Sequence, residues 1–576
     1  MKASTITQAW SMLSLSQKRK GTATVGLLVI QSLLDFFSVA SFLPLVFLIL
    51  RPEFVTTQAT LKAVYNFFGF TSSAYFVAAV AGGILLFIIS KSIVSLWISR
   101  AKAQYVFNIG RDLSNRAFGR YLQLEYPGFS DADHARELNR IANQPLTFAN
   151  NIILPMATIL SEALVFIFIV SCIILYDWKI ILILSVILAP CALLFQIMKK
   201  GSNNVGLAVK EKYPLSLKYA QQAIEGFIEI KAAGKESFFA QRFKGISEAL
   251  SRAFVKDHLL QSGTNRLMEV IAAFIVCFLV IYGVLSQQSY QQMILMLSIY
   301  AGASFRIIPS INRILYGALQ MRTHEYLLAE LKDLGNFQPT STRPKSLLRF
   351  KETIELKNIS FRYPDGPSVL QHTTLVIHKG EKVAITGKSG EGKTTLLLLL
   401  LGFLRDHQGE ILVDGNKIET PAIRSLLAYV SQDPYIFDGT VAENIAFGTA
   451  EHEIDLKKIE TIMRELDLNH MLEQMPGGIQ TRIGEKGVKL SGGQRQRLAI
   501  ARALYADAEI LLLDEITNQL HADAEMDVLN LLNELSRKGK TIIKVTHKLG
   551  SLGDFDSVYQ LKQGKLQKMG VQNPVI

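Results

Sequence analysis

The chain is poor in cysteine and in charge. Its three cysteines, Cys172, Cys191 and Cys277, cannot build a disulfide framework in 576 residues. Each lies inside an apolar run, where a thiol is expected to serve as a small hydrophobe. Charged residues reach only 19% against 49% hydrophobic ones. That balance is too apolar for an ordinary soluble protein, so part of the chain is expected in lipid. Acid is scarcer than base, 49 Asp and Glu against 61 Lys and Arg, for a net charge of +12. Such a surplus could serve nucleic acid, but basic loops on the cytoplasmic side of a membrane account for it better, and no nucleic-acid partner is expected. A cleavable leader is lacking too. Lys18-Arg19-Lys20 precedes an apolar run longer than a signal-peptide core, and no A-x-A-like site closes it. The run reads as a retained first span.

The apolar excess lies before about residue 320, in six segments of spanning length: approximately 21–50, 74–98, 148–176, 178–198, 264–285 and 290–318. Basic residues collect ahead of the first, between the second and third (Arg100 to Arg140), and between the fourth and fifth (Lys199 to Lys256). The other connections are short and carry almost no charge. Both termini and both long loops are therefore expected in the cytoplasm. The loops read as helical extensions of the spans; 220–231 keeps helical spacing, while Pro127 and Gly128 predict a turn within 121–133. A stretch of linker composition, 336–350, separates this domain, 1–335, from 351–576, where short apolar strands alternate with helices. The expected fold is an all-α six-helix membrane domain followed by an α/β P-loop ATPase domain.

The organising motif of the second domain is Gly387-Lys388-Ser389-Gly390-Glu391-Gly392-Lys393-Thr394-Thr395. An apolar strand, 382–386, precedes it and an apolar helix, 396–401, follows. In that context G-x-x-x-x-G-K-[ST] is a phosphate site. Gly387, Gly390 and Gly392 let backbone N–H groups, with Ser389, wrap phosphate oxygens at a helix N-terminus. Lys393 reaches the β- and γ-phosphates, and Thr394, followed by Thr395, offers a hydroxyl to Mg²⁺. Downstream, the apolar run 510–513 ends in Asp514 and Glu515: one carboxylate for Mg²⁺, one to polarise an attacking water. Between them Ser491-Gly492-Gly493-Gln494 opens a helical run and makes a second anion site. A single chain has no use for two γ-phosphate sites, but two facing chains do.

These motifs, in order over essentially the whole chain, resemble an ABC transporter half-subunit of the exporter type. The resemblance implies ATP and Mg²⁺ as cofactors. It makes Tyr363 the aromatic that stacks on adenine, and Gln432 the residue that senses Mg²⁺ and γ-phosphate. Ser491, Gly493 and Gln494 become the signature offered to the partner's nucleotide, and His547 the switch histidine beside catalytic Glu515. Gly484-Glu485-Lys486-Gly487 falls where exporters carry a coupling loop. One residue departs from the pattern: His521 stands where relatives have Asp, which bears on communication between the two ATP sites. The intact set implies a homodimer, with a related half-transporter as the alternative partner, in a bacterial inner membrane.

Arg306 and Arg313 fall inside the sixth apolar segment. Charge there is costly and points to function, and the guanidinium fork suits a phosphate or pyrophosphate. This stretch resembles the sixth span of flippases for lipid-linked oligosaccharides, which implies a lipid-linked or otherwise amphipathic anionic substrate drawn from membrane lipid. The arginines could instead snorkel or pair with Asp35, Glu162 or Glu269. The other readings are a drug, lipid A or peptide exporter, and an ATP-gated channel or regulatory subunit with little turnover.

Overall fold

The structure is a computed structural model. It describes residues 3–50, 58–176, 180–285, 290–334, 348, 350–364, 366–418, 420–473, 475–484, 490–517, 522–548 and 552–569. The chain divides into two compact units, Met1–Leu124 with Asp131–Thr340, and Glu125–Ser130 with Ser341–Ile576. Most of the expected linker, and also His521 and Glu485 to Gly487, lie outside the described residues.

The first unit is helical. Among the described residues its long helices are α1 (Leu15–Ala40), α2 (Ser73–Leu122), α3 (Leu154–Tyr176), α4 (Ile180–Glu225), α5 (Glu236–Leu285) and α6 (Tyr290–Thr323). Three apolar stretches among the described residues, Leu15–Ser38, Ser73–Leu122 and Gln144–Ser171, are long enough to cross a membrane. They coincide with the first three expected spans. The fourth, and parts of the fifth and sixth, fall on residues whose side chains lie outside the description. Along α2, Leu85, Leu86, Ile89, Ile93, Leu96 and Trp97 are exposed, a bare apolar flank that fits lipid.

At about 1.5 Å per residue, the 50 residues of α2 and the 50 of α5 outrun a hydrocarbon layer of about 30 Å. These are the helical extensions expected of the loops. Gln123 caps α2, and Pro127 and Gly128 sit in a single helical turn, Tyr126–Ser130. Gly226 likewise separates α4 from the short helix Phe227–Ala232. Inside the unit α3 packs on α6 and α1, and α4 on α5. Gly110 of α2 allows a close approach, since a Cβ there would stand 3.1 Å from that of Ala149.

Among the described residues the second unit holds two sheets. Strands β1 (Thr353–Arg362), β2 (Ser368–His378), β4 (Gln408–Val413) and β5 (Asn416–Lys417) form an antiparallel sheet in the order β2-β1-β4-β5. The other runs β10-β9-β3-β8-β7-β6, from β3 (Lys382–Thr386), β6 (Leu427–Val430), β7 (Ile510–Asp514), β8 (Thr541–Thr546), β9 (Ser557–Lys562) and β10 (Lys565–Met569). All its pairings are parallel except β10 with β9. Parallel strands are covered on both faces, so β7 reads as an unbroken apolar run from Ile510 to Leu513, and all six residues of β8 are buried. Helix α7 (Lys393–Leu400) drives Leu396, Leu397, Leu399 and Leu400 into the core with Ile354, Leu375, Ile385 and Leu512. Helices α8 (Gly492–Tyr505) and α9 (Ala522–Arg537) cover the other side of β7 through Leu498, Ile500, Val528 and Leu532.

Candidate nucleotide site

The register of the parallel sheet assembles the site. Thr386 pairs with Thr546, Asp514 with Val545, and Val430 with Leu513. Four strands thus end along one edge, and the Gly387 loop, the Asp514–Glu515 pair, His547 and Gln432 all follow from it. Ligands of parallel sheets bind at this carboxyl edge. Sequence spacing could not supply that adjacency; strand order did.

The loop is a fitted cradle. Gly390 and Gly392 sit at φ +84° and +101°, which side chains adopt only with strain. A Cβ on Gly387 would meet the Leu561 carbonyl at 2.7 Å, and one on Gly392 would meet Val369 at 2.8 Å. Lys393 is buried and donates from Nζ to the carbonyls of Gly387 (2.8 Å) and Lys388 (3.0 Å). Glu391, which the motif reading had not singled out, accepts from the Lys388 N–H at 2.8 Å and braces the loop. Ser389 and Thr394 are exposed, whereas Thr395 is buried and its hydroxyl lies 3.3 Å from that of Tyr363. The Tyr363 ring packs edge-on against Phe361, centroids 5.0 Å apart.

Asp514 closes β7 half-buried. Burial pushes its carboxyl up, with the neighbouring Glu515 adding to the rise; a hydrogen bond from Tyr429 and the Lys393 ammonium oppose it. The Tyr429 hydroxyl donates to Asp514 Oδ2 at 3.1 Å, and burial pushes that phenol up so that it stays a donor. Tyr429 carries no motif of its own; it meets Asp514 only because β6 pairs with β7. Glu515 adopts φ +51°, unusual for a non-glycine and a mark of stored strain. Its N–H donates to the Val545 carbonyl at 3.0 Å, and its Oε1 lies 3.4 Å from His547 Nδ1. His547 and Gln432 are exposed.

The signature stands on its own element. Ser491 caps α8 in a reciprocal box: its Oγ accepts from the Gln494 N–H (3.3 Å), and Gln494 Oε1 accepts from the Ser491 N–H (2.8 Å). Gly493 follows in the first turn, and Ser491 and Gly492 are exposed.

Arg306 and Arg313 are both paired within the first unit. Arg306 donates to Asp35 of α1 at 2.8 Å and stands 3.4 Å from Glu162 of α3. Arg313 pairs with Glu162, which also accepts from Ser310 at 2.7 Å. Lys91 of α2 adds a pair to Asp35 at 2.6 Å. Four helices thus share one charged network. Glu269, the third acid weighed for these arginines, pairs instead with Arg266.

Comparison with known proteins identifies the family. Residues 370–518 match the family described as ABC transporter, and residues 20–305 match the ABC transporter transmembrane region. The chain is 33% identical over 395 residues to the heterocyst differentiation ATP-binding protein HepA of Nostoc sp., covering 66% of this chain and 63% of that protein. It is 30% identical over 407 residues to the ATP-dependent lipid A-core flippase of Cupriavidus pinatubonensis, covering 69% of each. The flippase of the same name from Paraburkholderia xenovorans is 29% identical over 483 residues, covering 81% of this chain and 79% of that protein. A solved bacterial Atm1-family ABC exporter with ATP bound shares the fold, with a TM-score of 0.76 at 20% identity over 96% of this chain and 95% of that one. The chain belongs to the ABC transporters: it is an exporter-type half-transporter, a membrane protein whose helical domain is followed by an ATP-binding cassette that couples ATP hydrolysis to transport.

Proposed function

We propose that two copies of this chain flip or export an anionic, lipid-linked glycan or related amphipathic lipid across a bacterial inner membrane, with both termini and the ATPase domain in the cytoplasm. The observation that carries the substrate class is the charged network of the helical unit. Among the described residues, Lys91, Arg306 and Arg313 pair with Asp35 and Glu162, and Lys102 also bears on Glu162, so four cations face two anions. Arg313 keeps 51% of its side chain exposed, which leaves its fork open to a phosphate or pyrophosphate head group. A second reading, lipid A as cargo, is favoured by the names of the relatives just described; it has the same anionic amphipathic chemistry.

In the cassette each ATP lies between one chain's Gly387–Thr395 loop and the partner's signature, Ser491, Gly493 and Gln494, with Tyr363 against the adenine. Thr394, Asp514 and Gln432 supply hard oxygen donors, the set Mg²⁺ prefers when phosphates complete its shell, and no dedicated acidic cluster is required. Mg²⁺ held by these residues would neutralise charge on the β- and γ-phosphates. Glu515 takes the proton of the attacking water, His547 orients it, and Lys393 holds the γ-phosphate. Nucleotide binding closes the cassettes and turns the helices outward; hydrolysis resets them.

The experiment is ATPase activity in proteoliposomes with short-glycan polyprenyl pyrophosphates, with lipid A, and with neutral hydrophobic drugs. Stimulation by the glycolipid that disappears in Arg306→Ala/Arg313→Ala is the expected result. Stimulation by lipid A alone moves the cargo to the second reading. Response to the neutral drugs only removes the anionic class.

A pH effect follows from Tyr429. Its hydrogen bond favours the charged form of Asp514, so Tyr429→Phe lets that carboxyl titrate at still higher pH. Hydrolysis needs the carboxylate and fails as pH falls. The acid limb of the ATPase pH profile is therefore expected to move to higher pH in the variant, with the alkaline limb unchanged.

A further inference from the structure

Behind the proposed catalytic pair lies a charge cluster that nothing above uses. Lys548 follows His547 directly. Its Nζ donates to the main-chain carbonyl of Thr517 at 3.1 Å and pairs with Glu525 of α9 at 3.0 Å. Thr517 is fully buried and stands two residues after Glu515. One ammonium therefore spans from the residue after the histidine to the turn after the glutamate. Its N–H is itself held, donating to Thr546 Oγ1 at 3.1 Å. Glu525 carries only 16% exposure of its side chain, and Lys548 holds its carboxyl below the usual range.

A second cation bears on the same carboxylate. Lys544 is fully buried in β8, in register with Ala384 and Leu513. Its ammonium stands 5.9 Å from the Phe555 ring centre. Burial pushes that ammonium down to about 8; Glu525 opposes the shift and Lys548 adds to it. A lysine inside a central parallel strand is costly to bury unless charge or hydrogen bonding compensates. Glu525 is the carboxylate that both ammoniums face.

We infer that Lys548 and Glu525 are positioning residues for hydrolysis: together they clamp the turn after Glu515 to the loop of His547 and so set the spacing of those two groups. Glu515 sits at φ +51°, a conformation that persists only where its surroundings hold it. Its own N–H is tied to β8 through Val545, and Lys548 ties the far side of the turn. The spacing of His547 and Glu515 across 3.4 Å depends on both ties. Lys548 acts through the backbone it holds.

The inference rests on the roles proposed for Glu515 and His547, so the test carries both. ATPase kinetics of the full-length chain in proteoliposomes are measured for Lys548→Met, Lys548→Arg, Glu525→Gln and Glu515→Gln, with thermal melting to confirm folding. Misplacement by a fraction of an ångström predicts a kcat about 10-fold lower in Lys548→Met, while KM for ATP stays within about twofold. Lys548→Arg, which keeps the cation, restores kcat to within about twofold of the native chain. Glu525→Gln, which keeps the side-chain shape, repeats the kcat-only loss and so covers the case in which Lys548→Met does not fold. A native kcat in both Lys548→Met and Glu525→Gln, or a loss confined to KM, overturns the clamp. Normal hydrolysis in Glu515→Gln overturns the catalytic reading on which it rests.

Discussion

Glu515→Gln is expected to cut steady ATP hydrolysis by about two orders of magnitude or more while leaving ATP binding intact. A positioned general base contributes roughly 10²- to 10⁴-fold, and the amide cannot accept the proton. The substitution keeps size and shape, and the hydrogen bond from the Glu515 N–H to Val545 belongs to the backbone, so the strained turn survives. The phosphate cradle stands on β3 and α7 and does not involve the Glu515 side chain. Nucleotide affinity, read by equilibrium binding, stays native while turnover collapses. Vigorous hydrolysis by the native chain, lost in this variant, also removes the reading of a channel or regulatory subunit with little turnover. Persistent hydrolysis in the variant takes the base role from Glu515.

Glu162→Ala is expected to be the most damaging single change in the helical unit. Its side chain is only 7% exposed, and it receives Arg313, Arg306 at 3.4 Å and Ser310 at 2.7 Å. Truncation leaves a 13%-exposed Arg306 with Asp35 alone, already shared with Lys91. Removing one partner of a buried pair costs about 3–5 kcal/mol, because a charge remains without its counter-ion. Removing both charges together is far milder, so Glu162→Met/Arg306→Met is expected to recover most of the loss. Thermal melting of the purified chain in detergent, compared across the single and double variants, checks both statements. Equal melting in Glu162→Ala and the native chain refutes the structural importance of the network.

The phosphate loop was legible because its signal is local. Strand, glycines, lysine and helix follow one another in the chain, and each glycine has a steric reason at its own position. The long helices announced themselves in the same way, through apolar length, although only the first three spans are matched by described side chains. Whatever depended on strands or helices meeting across the fold was not legible. The antiparallel sheet of β1, β2, β4 and β5 mixes apolar and polar faces in short pieces, with register shifts along β1 that break the period. Tyr429 reaches Asp514 only because β6 pairs with β7. The positive φ of Glu515 leaves no trace in a residue type that rarely adopts it. Arg306 and Arg313 stood out by composition, and Asp35 and Glu162 were among their possible partners. The choice between them needed the packing of α1, α3 and α6.

The 50-residue helices carry a mechanical consequence. A rod of about 75 Å, at 1.5 Å per residue, turns a small rotation at one end into a large displacement at the other. A tilt of about 5° moves the far tip by roughly 6 to 7 Å, more than a full helical turn of 5.4 Å. Each rod therefore works as a lever arm. A sub-ångström adjustment of side chains can be silent, but a rigid change of a few degrees at either end cannot.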